Sequence, residues 1–261
     1  MSKLLVTGSS GSIGSAFQKG LSNSDLSRWN LILWDRGESG SILESKNRLK
    51  VLRDEKPDVV IHFAWAETES EKYDNDPIHA KWAEESGNFM EQCENIGAWF
   101  IGMGSAIDAV ELNPQSSPYI TAKKSLRNMF ETNSISSNRT LIRPQYVIST
   151  DRKHPRVLNY PIDQVREPYA VHDFIDVRDV ASAISAVLRG GLRGLIDIGS
   201  GRSHSISKLI SSVNMEINDE PSERCDLSCK SSNANTQLLN VLGWKPVHTA
   251  KLFGCEAIHG A

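Results

Sequence analysis

Tyr119 and Lys123 are the residues of this chain whose types and spacing best suit proton transfer. They lie four positions apart, so within a helix they share one face, one turn from each other. A tyrosine has an ordinary pKa of about 10 and is a poor acid at neutral pH. A lysine ammonium nearby stabilises the phenolate, and the phenol can then donate a proton to a carbonyl oxygen or accept one from an alcohol.

Ser105 comes fourteen positions before Tyr119, just after the apolar run 99–101. Its hydroxyl could hydrogen-bond the same substrate oxygen and orient it. A tyrosine and a lysine at this spacing are common by chance, and an exposed helix pair without a function is the alternative interpretation. The order of the other motifs along the chain favours the catalytic one.

A glycine-rich turn follows the first apolar run and precedes a helical segment. Glycines at such a turn let the backbone approach a pyrophosphate, and the helix amino terminus offers N–H groups. The spacing is G-x-x-G-x-x-G, and a tight turn without a ligand is the alternative. The residues that would bind the cofactor here are Gly8, Ser10, Gly11, Ser12, Ile13 and Gly14.

Asp35 and Arg36 end the second apolar run. A carboxylate at this place can accept hydrogen bonds from the adenosine ribose of a dinucleotide, which favours NAD. An arginine there can hold a 2′-phosphate, which keeps NADP open. We predict NAD as the cofactor, with NADP as the alternative.

Short apolar runs alternate with longer segments of helical spacing in the first half of the chain. Continuous apolar runs suit strands buried on both faces, and the segments between them can supply crossover helices. The runs are residues 4–6, 31–34, 59–63, 99–101 and 141–142. The pattern predicts an α/β fold with a doubly wound, mainly parallel sheet, whose binding crevice lies at the carboxyl ends of the strands. The second half of the chain is expected to build a small lobe over that crevice.

Composition excludes several classes of protein. The 261 residues carry a formal net charge of -3, which gives no basic face for nucleic acid or an anionic membrane. No apolar run reaches the length of a membrane span, and no signal peptide is evident. The four cysteines form no zinc spacing, so we expect no metal and reduced thiols in a cytoplasmic protein. His62, inside the third run, is expected to be a core histidine.

The chain resembles the extended short-chain dehydrogenase/reductase superfamily, in its NAD-dependent epimerase/dehydratase family. The resemblance runs over nearly the whole length and depends on an ordered set of motifs. These are the glycine turn, Asp35, the segment 57–64, Ser105-Ala106, Tyr119-x-x-x-Lys123, Ile142-Arg143-Pro144, the segment 173–181, Ile198-Gly199-Ser200-Gly201 and Leu242-Gly243-Trp244-Lys245-Pro246.

The resemblance implies a Rossmann-like NAD(P)-binding domain over residues 1–150. It implies a small substrate lobe over 151–261, interleaved with returning Rossmann elements at about 171–200. Ser105, Tyr119 and Lys123 would be the catalytic residues, with Tyr119 and Lys123 also contacting the cofactor. Further cofactor contacts would come from Ser41, Ile42, Phe63, Ala64, Trp65 and Pro144.

The implied substrate is a nucleotide-linked sugar, and the chain departs from the family pattern where that substrate would bind. Tyr146 stands where the family often has an asparagine, and His172 where it often has an arginine. Both are candidate substrate-binding residues, and Arg152, Lys153 and Arg156 could replace the missing diphosphate contacts.

Three functions remain open from the sequence. The first is a reductase of a keto group on a nucleotide-linked 6-deoxy sugar, favoured by the short loop before Tyr119 and the small second lobe. The second is a nucleotide-sugar 4-epimerase with tightly bound NAD. The third is a non-catalytic NAD(P)-binding regulatory protein, which the intact Tyr119–Lys123 pair disfavours. The family also implies a homodimer.

Overall fold

The computed structural model describes residues 1–66, 70–109, 111–132, 138–149, 158, 162–165, 167–214 and 234–254. The chain forms two compact units. The first comprises Met1–Arg143 and Leu192–Ile196, and the second comprises Pro144–Gly191 and Asp197–Ala261. That cofactor binding belongs to residues 1–150 and substrate binding to 151–261 stays a prediction.

Strands and helices alternate along the first unit. In chain order they are β1 (Ser2–Thr7), α1 (Ser12–Gly20), α2 (Asn23–Arg28), β2 (Trp29–Leu33), α3 (Arg36–Ser39), α4 (Ser45–Glu55), β3 (Val59–His62), α5 (Ile78–Asn95), β4 (Trp99–Met103), α6 (Pro118–Thr132) and β5 (Arg139–Pro144). Short 3-10 helices span Ser70–Asn75 and Ala106–Ala109.

Six strands form one sheet in the order β2-β1-β3-β4-β5-β8, in which β8 is Gly194–Ile198. The pairs from β2 to β5 run parallel. Their central side chains, among them Leu5, Val60 and Phe100, are almost fully buried. The parallel sheet and its crossover helices confirm the predicted Rossmann-like α/β fold. All five apolar runs of the first half contribute strands, although Trp34 and Phe63 lie one residue past the strand ends.

Parallel pairing brings the strand ends that bear the candidate residues to one edge of this sheet. Thr7 at the end of β1 is in register with His62 at the end of β3, and His62 with Gly102 in β4. The glycine turn, the segment after β3 and Ser105 after β4 therefore neighbour one another.

The second unit has a small sheet of its own. Its elements are β6 (Tyr146–Ile148), β7 (Val171–Asp176), α7 (Val177–Gly190), β9 (Ser203–Ser205), α8 (Ile206–Asn214), α9 (Gln237–Val241) and α10 (Val247–Leu252), with a 3-10 turn at Ile162–Gln164. The strands pair in the order β6-β7-β9, parallel for the first pair and antiparallel for the second. The basic segment 152–156 lies outside the described residues.

Two buried carboxylates bind backbone N–H groups of loops and of a helix start in the second unit. Asp173 accepts hydrogen bonds from the backbone N–H groups of Ser200, Gly201 and Ala234. Asp179 accepts from the start of α10, including Thr249 N at 2.6 Å. Within the described ranges, no helix is both long enough and apolar enough to cross a membrane.

Arg48 has the largest fully buried polar side chain among the described residues, and it links α4 to α5 and to the turn before α4. Its guanidinium donates to the Ile42 carbonyl at 2.7 Å, to Glu85 of α5 at 2.7 Å and to Gln92 of α5 at 2.9 Å. Removing one partner of a buried ion pair leaves the other uncompensated. We predict that Arg48→Met lowers the free energy of unfolding in urea by about 3 kcal/mol.

Arg53 on the same helix provides the matched control. It pairs with Asp54 at 2.9 Å, but its side chain is 73% exposed. Arg53→Met is therefore expected to cost less than about 1 kcal/mol. Equal losses in the two variants would contradict a special role for the buried contacts of Arg48.

Candidate functional site

The glycine turn between β1 and α1 is too tight for side chains at two of its three glycines. Gly8 has a φ of +66°, and a Cβ there would lie 2.5 Å from the backbone nitrogen of Ala64. A Cβ on Gly14 would collide with the Gly8 carbonyl oxygen. A Cβ on Gly11 would lie 3.2 Å from that same oxygen, which is also a tight contact. The turn therefore leaves little room for side chains, least of all at Gly8 and Gly14, where it lies against the segment after β3 and against itself.

The amino terminus of α1 follows Gly11 directly and has no side-chain cap. Gly11 is the N-cap and provides no side-chain acceptor, so the first N–H groups of the helix lack a side-chain cap. The Ser12 hydroxyl is buried and has no hydrogen-bond partner among the described residues. Ser10 is exposed and Ile13 is half-buried. These donors fit a phosphate group, which accepts hydrogen bonds from N–H and O–H alike.

Asp35 and Arg36 lie just past the end of β2, beside β1. The Asp35 carboxylate caps α3, with one oxygen accepting from Gly37 N at 2.6 Å and Glu38 N at 3.4 Å. The cap holds the carboxylate at the strand end, where a ribose contact is predicted. Asp35 and Arg36 are both exposed, so the choice between NAD and NADP stays open.

Ser41 and Ile42 follow α3 in an ordered turn. The Ser41 carbonyl accepts from the Asn47 side chain at 2.9 Å, and its hydroxyl accepts from Leu43 N at 3.3 Å. Ile42 is buried in the core of the first unit. That these two residues contact adenine stays a prediction.

The segment after β3 lies against the glycine turn. Ala64 N donates to the Thr7 hydroxyl at 3.4 Å, and the Phe63 ring packs on Phe17 of α1 with 5.5 Å between centroids. The half-buried Trp65 donates its indole N–H to Nδ1 of His79 at 3.0 Å. That Phe63, Ala64 and Trp65 contact the cofactor stays a prediction.

Lys123 brings α6 into direct contact with the end of β4. Its ammonium donates to the Met103 carbonyl at 3.0 Å, two residues before Ser105. Helix α6 begins at Pro118, so Tyr119 lies in its first turn and Lys123 in its second, as predicted. The Lys123 nitrogen is 5.8 Å from the centre of the Tyr119 ring. The half-buried Ser105 hydroxyl accepts from Ile107 N at 3.4 Å.

The Lys123 side chain is 4% exposed, and its surroundings decide how readily it keeps its proton. The nitrogen lies 3.4 Å from the centre of the Trp65 ring, a cation–π contact. Burial lowers the pKa of Lys123 to about 7, and the carboxylate of Asp108 acts in the opposite direction. The ammonium therefore titrates close to neutral pH.

Tyr119 is surrounded by aromatic rings that the sequence did not indicate. Its ring is 5.4 Å from that of Tyr73 and 5.2 Å from that of His79. His79 accepts from Trp65 at Nδ1, so its Nε2 carries the proton and donates to the Tyr73 carbonyl at 2.6 Å. Tyr73 and His79 are distant in sequence from Tyr119 and belong to no motif, so sequence alone gave no signal for them.

His62 is a core histidine, as predicted. It shares hydrogen bonds with the Thr7 hydroxyl at 2.7 Å and the Ser86 hydroxyl at 3.0 Å. Burial, followed by the charges of Lys123 and Arg48, lowers its pKa to about 3. A neutral His62 thus joins β1, β3 and α5 beneath the strand ends.

Three predicted site residues belong to the second unit. Pro144 is buried at the end of β5. Tyr146 is 43% exposed, and its ring lies 4.0 Å from that of His172 on the neighbouring strand. Burial lowers the pKa of His172, while Glu167 opposes that shift. Substrate binding by Tyr146 and His172 stays a prediction.

A model of the NAD dependent epimerase/dehydratase family matches residues 4–199. No curated protein sequence gives a significant match. Among solved structures, the chain is similar to RMD from Pseudomonas aeruginosa complexed with NADPH, with 22% identity, 97% of each chain covered and a TM-score of 0.71.

Two further solved structures resemble the chain. The UDP-glucose 4-epimerase of Thermus thermophilus in complex with NAD is 19% identical over 94% of each chain, with a TM-score of 0.68. The dTDP-4-dehydrorhamnose reductase of Bacillus anthracis in complex with NADP is 16% identical over 97% of each chain, with a TM-score of 0.69. At these identities the likeness shows the fold.

A substitution at Ser12 can test whether the start of α1 binds the cofactor phosphates without changing the stability of the protein. We predict that Ser12→Ala weakens NADH or NADPH binding by about tenfold, because one hydroxyl donor to the phosphates is lost. The free energy of unfolding should stay within about 0.5 kcal/mol, because the hydroxyl has no hydrogen-bond partner in the described part of the chain. Calorimetric titration and urea unfolding measure the two quantities.

Ser27→Ala, on the exposed face of α2, serves as the control and should change neither quantity. Undiminished cofactor affinity in Ser12→Ala would show that this hydroxyl does not meet the phosphates.

Proposed function

The chain belongs to the NAD dependent epimerase/dehydratase family, and on that premise we propose that it is an NAD(P)-dependent oxidoreductase that reduces a keto group of a nucleotide-linked 6-deoxy sugar. Membership of this family confirms the predicted cofactor class. The observation that carries the proposal is the buried Lys123 ammonium on α6, one turn from Tyr119 and bonded to the strand that leads to Ser105.

In the proposed reaction Tyr119 is the proton donor. Its phenol gives a proton to the keto oxygen, which becomes the hydroxyl of the product. The bound reduced cofactor supplies the hydride that the carbonyl carbon requires. The positive charge of Lys123 stabilises the phenolate that remains, and the Ser105 hydroxyl hydrogen-bonds the keto oxygen as negative charge develops on it.

The environment of the pair supports this division of roles. The Lys123 ammonium is enclosed by the Trp65 ring and the Met103 carbonyl, so little water screens its charge. The rings of Tyr73 and His79 border Tyr119 and limit its rotation. A proton donor whose position is already set loses less entropy on reaching the reactive geometry.

The substrate class is proposed from the solved relatives and from the second unit. Of the three solved structures, one is a dTDP-4-dehydrorhamnose reductase and one a UDP-glucose 4-epimerase. The exposed Tyr146 ring, stacked near His172, offers a flat surface of the kind that sugars and bases contact. A cytoplasmic homodimer belongs to the same proposal.

A nucleotide-sugar 4-epimerase is the second candidate, since an epimerase is among the similar folds. It would use Ser105, Tyr119 and Lys123 for the same proton transfers, once to oxidise the sugar and once to reduce it. The two candidates differ in the fate of the cofactor, which a reductase must exchange after each turnover and an epimerase retains.

Tyr119→Phe tests the proposal by removing the phenol and keeping the ring. We predict that turnover of a nucleotide-linked 4-keto-6-deoxy sugar, followed by the absorbance of NADH or NADPH, falls by at least about two orders of magnitude. Binding of the reduced cofactor alone should change little, because the ring contacts remain.

Tyr169→Phe is the matched control, since this tyrosine is 81% exposed in the second unit, and its turnover should equal that of the wild type. A Tyr119→Phe variant with undiminished turnover would contradict the acid role and support a non-catalytic protein.

A further inference from the structure

Asp108 is a fully buried carboxylate that no motif assigns. It lies in the 3-10 turn Ala106–Ala109, three residues after Ser105, and its backbone N–H donates to the Ser105 carbonyl at 3.1 Å. A buried carboxylate is costly unless it is paired, so its partners indicate why it is there.

Two guanidinium groups from different elements meet one oxygen of this carboxylate. Arg143 of β5 donates to Asp108 Oδ1 at 3.0 Å, and Arg127 of α6 donates to the same atom at 3.3 Å. The second oxygen, Oδ2, is buried and accepts no hydrogen bond from the described residues. Both guanidinium contacts therefore fall on one oxygen of the carboxylate.

The position of Arg127 connects this ion cluster to the proposed catalytic pair. Tyr119, Lys123 and Arg127 follow one another at intervals of four residues and share one face of α6. The ion pair between Arg127 and Asp108 thus links this face of α6 to the turn that follows Ser105. Arg143 fastens the same turn to β5.

The cluster is rich in positive charge. Arg127 and Arg143 both pair with a single buried carboxylate, and Arg127 also pairs at 3.0 Å with Glu131, whose side chain is 49% exposed. Among the described residues, the other titratable or charged groups near Lys123, or near the groups that it acts on, are Tyr119 on α6, His62 on β3, Tyr73 on the 3-10 helix, Arg48 on α4 and His79 on α5. No carboxylate is among these described groups.

We propose that Asp108 is the positioning residue of the Tyr119–Lys123 pair: its buried carboxylate holds the turn after Ser105 against α6 and keeps the Lys123 side chain charged. This deepens the proposed function, on which its catalytic meaning rests. The electrostatics agree, since burial lowers the pKa of Lys123 and Asp108 is the group that raises it.

An amine is charged below its pKa and neutral above it. Without the Asp108 charge the pKa of Lys123 falls below its present value of about 7, so at neutral pH most of the molecules would carry an uncharged lysine. Tyr119 would then lose the positive charge that favours its phenolate.

The test is a direct titration of Lys123 that needs no substrate. The protein is labelled with lysine carrying ¹³C at the ε carbon, and the Lys123 resonance is identified by its absence in Lys123→Met. In Asp108→Asn, which keeps the shape of the side chain, we expect the titration midpoint to fall by about one pH unit or more. In Glu131→Gln, which removes the exposed carboxylate bonded to the same Arg127, we expect no change.

An unchanged midpoint in Asp108→Asn, or an equal fall in Glu131→Gln, would overturn the proposal. If Asp108→Asn does not fold, the double variant Asp108→Asn/Arg127→Gln removes one of the two guanidinium groups left without a carboxylate, and a smaller fall in the same direction is expected there, because a neighbouring positive charge is lost as well. A fall of the midpoint in a protein that reduces no keto sugar would refute the proposed function and leave the role of Asp108 intact.

With an active enzyme, the pH profile gives a second reading. The loss of kcat/KM at high pH should begin at lower pH in Asp108→Asn than in the wild type, by the same shift as the Lys123 midpoint. A merely structural role would lower the rate at every pH without moving the profile.

Discussion

The burial of one ammonium group governs the geometry of the candidate site. Lys123 is only 4% exposed, so its ammonium has lost most of its hydration. Burial of a charge is unfavourable unless polar or charged groups around it compensate. The structure provides a carbonyl oxygen from Met103 and the face of Trp65, with the carboxylate of Asp108 acting on its charge. These three groups come from the end of β4, the segment after β3 and the turn after Ser105. Stabilising the buried ammonium therefore depends on these three segments lying close together.

The positive charge of Lys123 also affects the ionisation of His62. The positive charge of Lys123 adds to burial in lowering the pKa of His62, which remains neutral and bridges the Thr7 and Ser86 hydroxyls. Thr7 in turn accepts from Ala64 N beside the glycine turn. Hydrogen bonds thus connect His62, whose pKa the charge of Lys123 lowers, with the segment beside the glycine turn, where cofactor phosphates are proposed to bind.

Sequence alone could predict the parts of this site that depend on local spacing. Apolar runs indicated the strands, and the interval between Tyr119 and Lys123 placed both on one helix face. The small sheet of β6, β7 and β9 was not predicted, because its strands are short and come from segments far apart in the chain. The contacts that tune the site were also beyond sequence reasoning, since the position of Trp65 over Lys123 and the two guanidinium partners of Asp108 depend on side chains remote in sequence.

The central claim is that the protein is a reductase that exchanges its nicotinamide cofactor after each turnover. Measuring the cofactor content of the purified protein tests this claim most directly. The protein would be purified without added nucleotide and denatured, and any released nucleotide identified and quantified. We predict that little or none is released and that the protein then binds NADH or NADPH reversibly. Release of NAD in an amount equal to the protein would contradict a reductase and indicate the internal oxidation and reduction cycle of an epimerase.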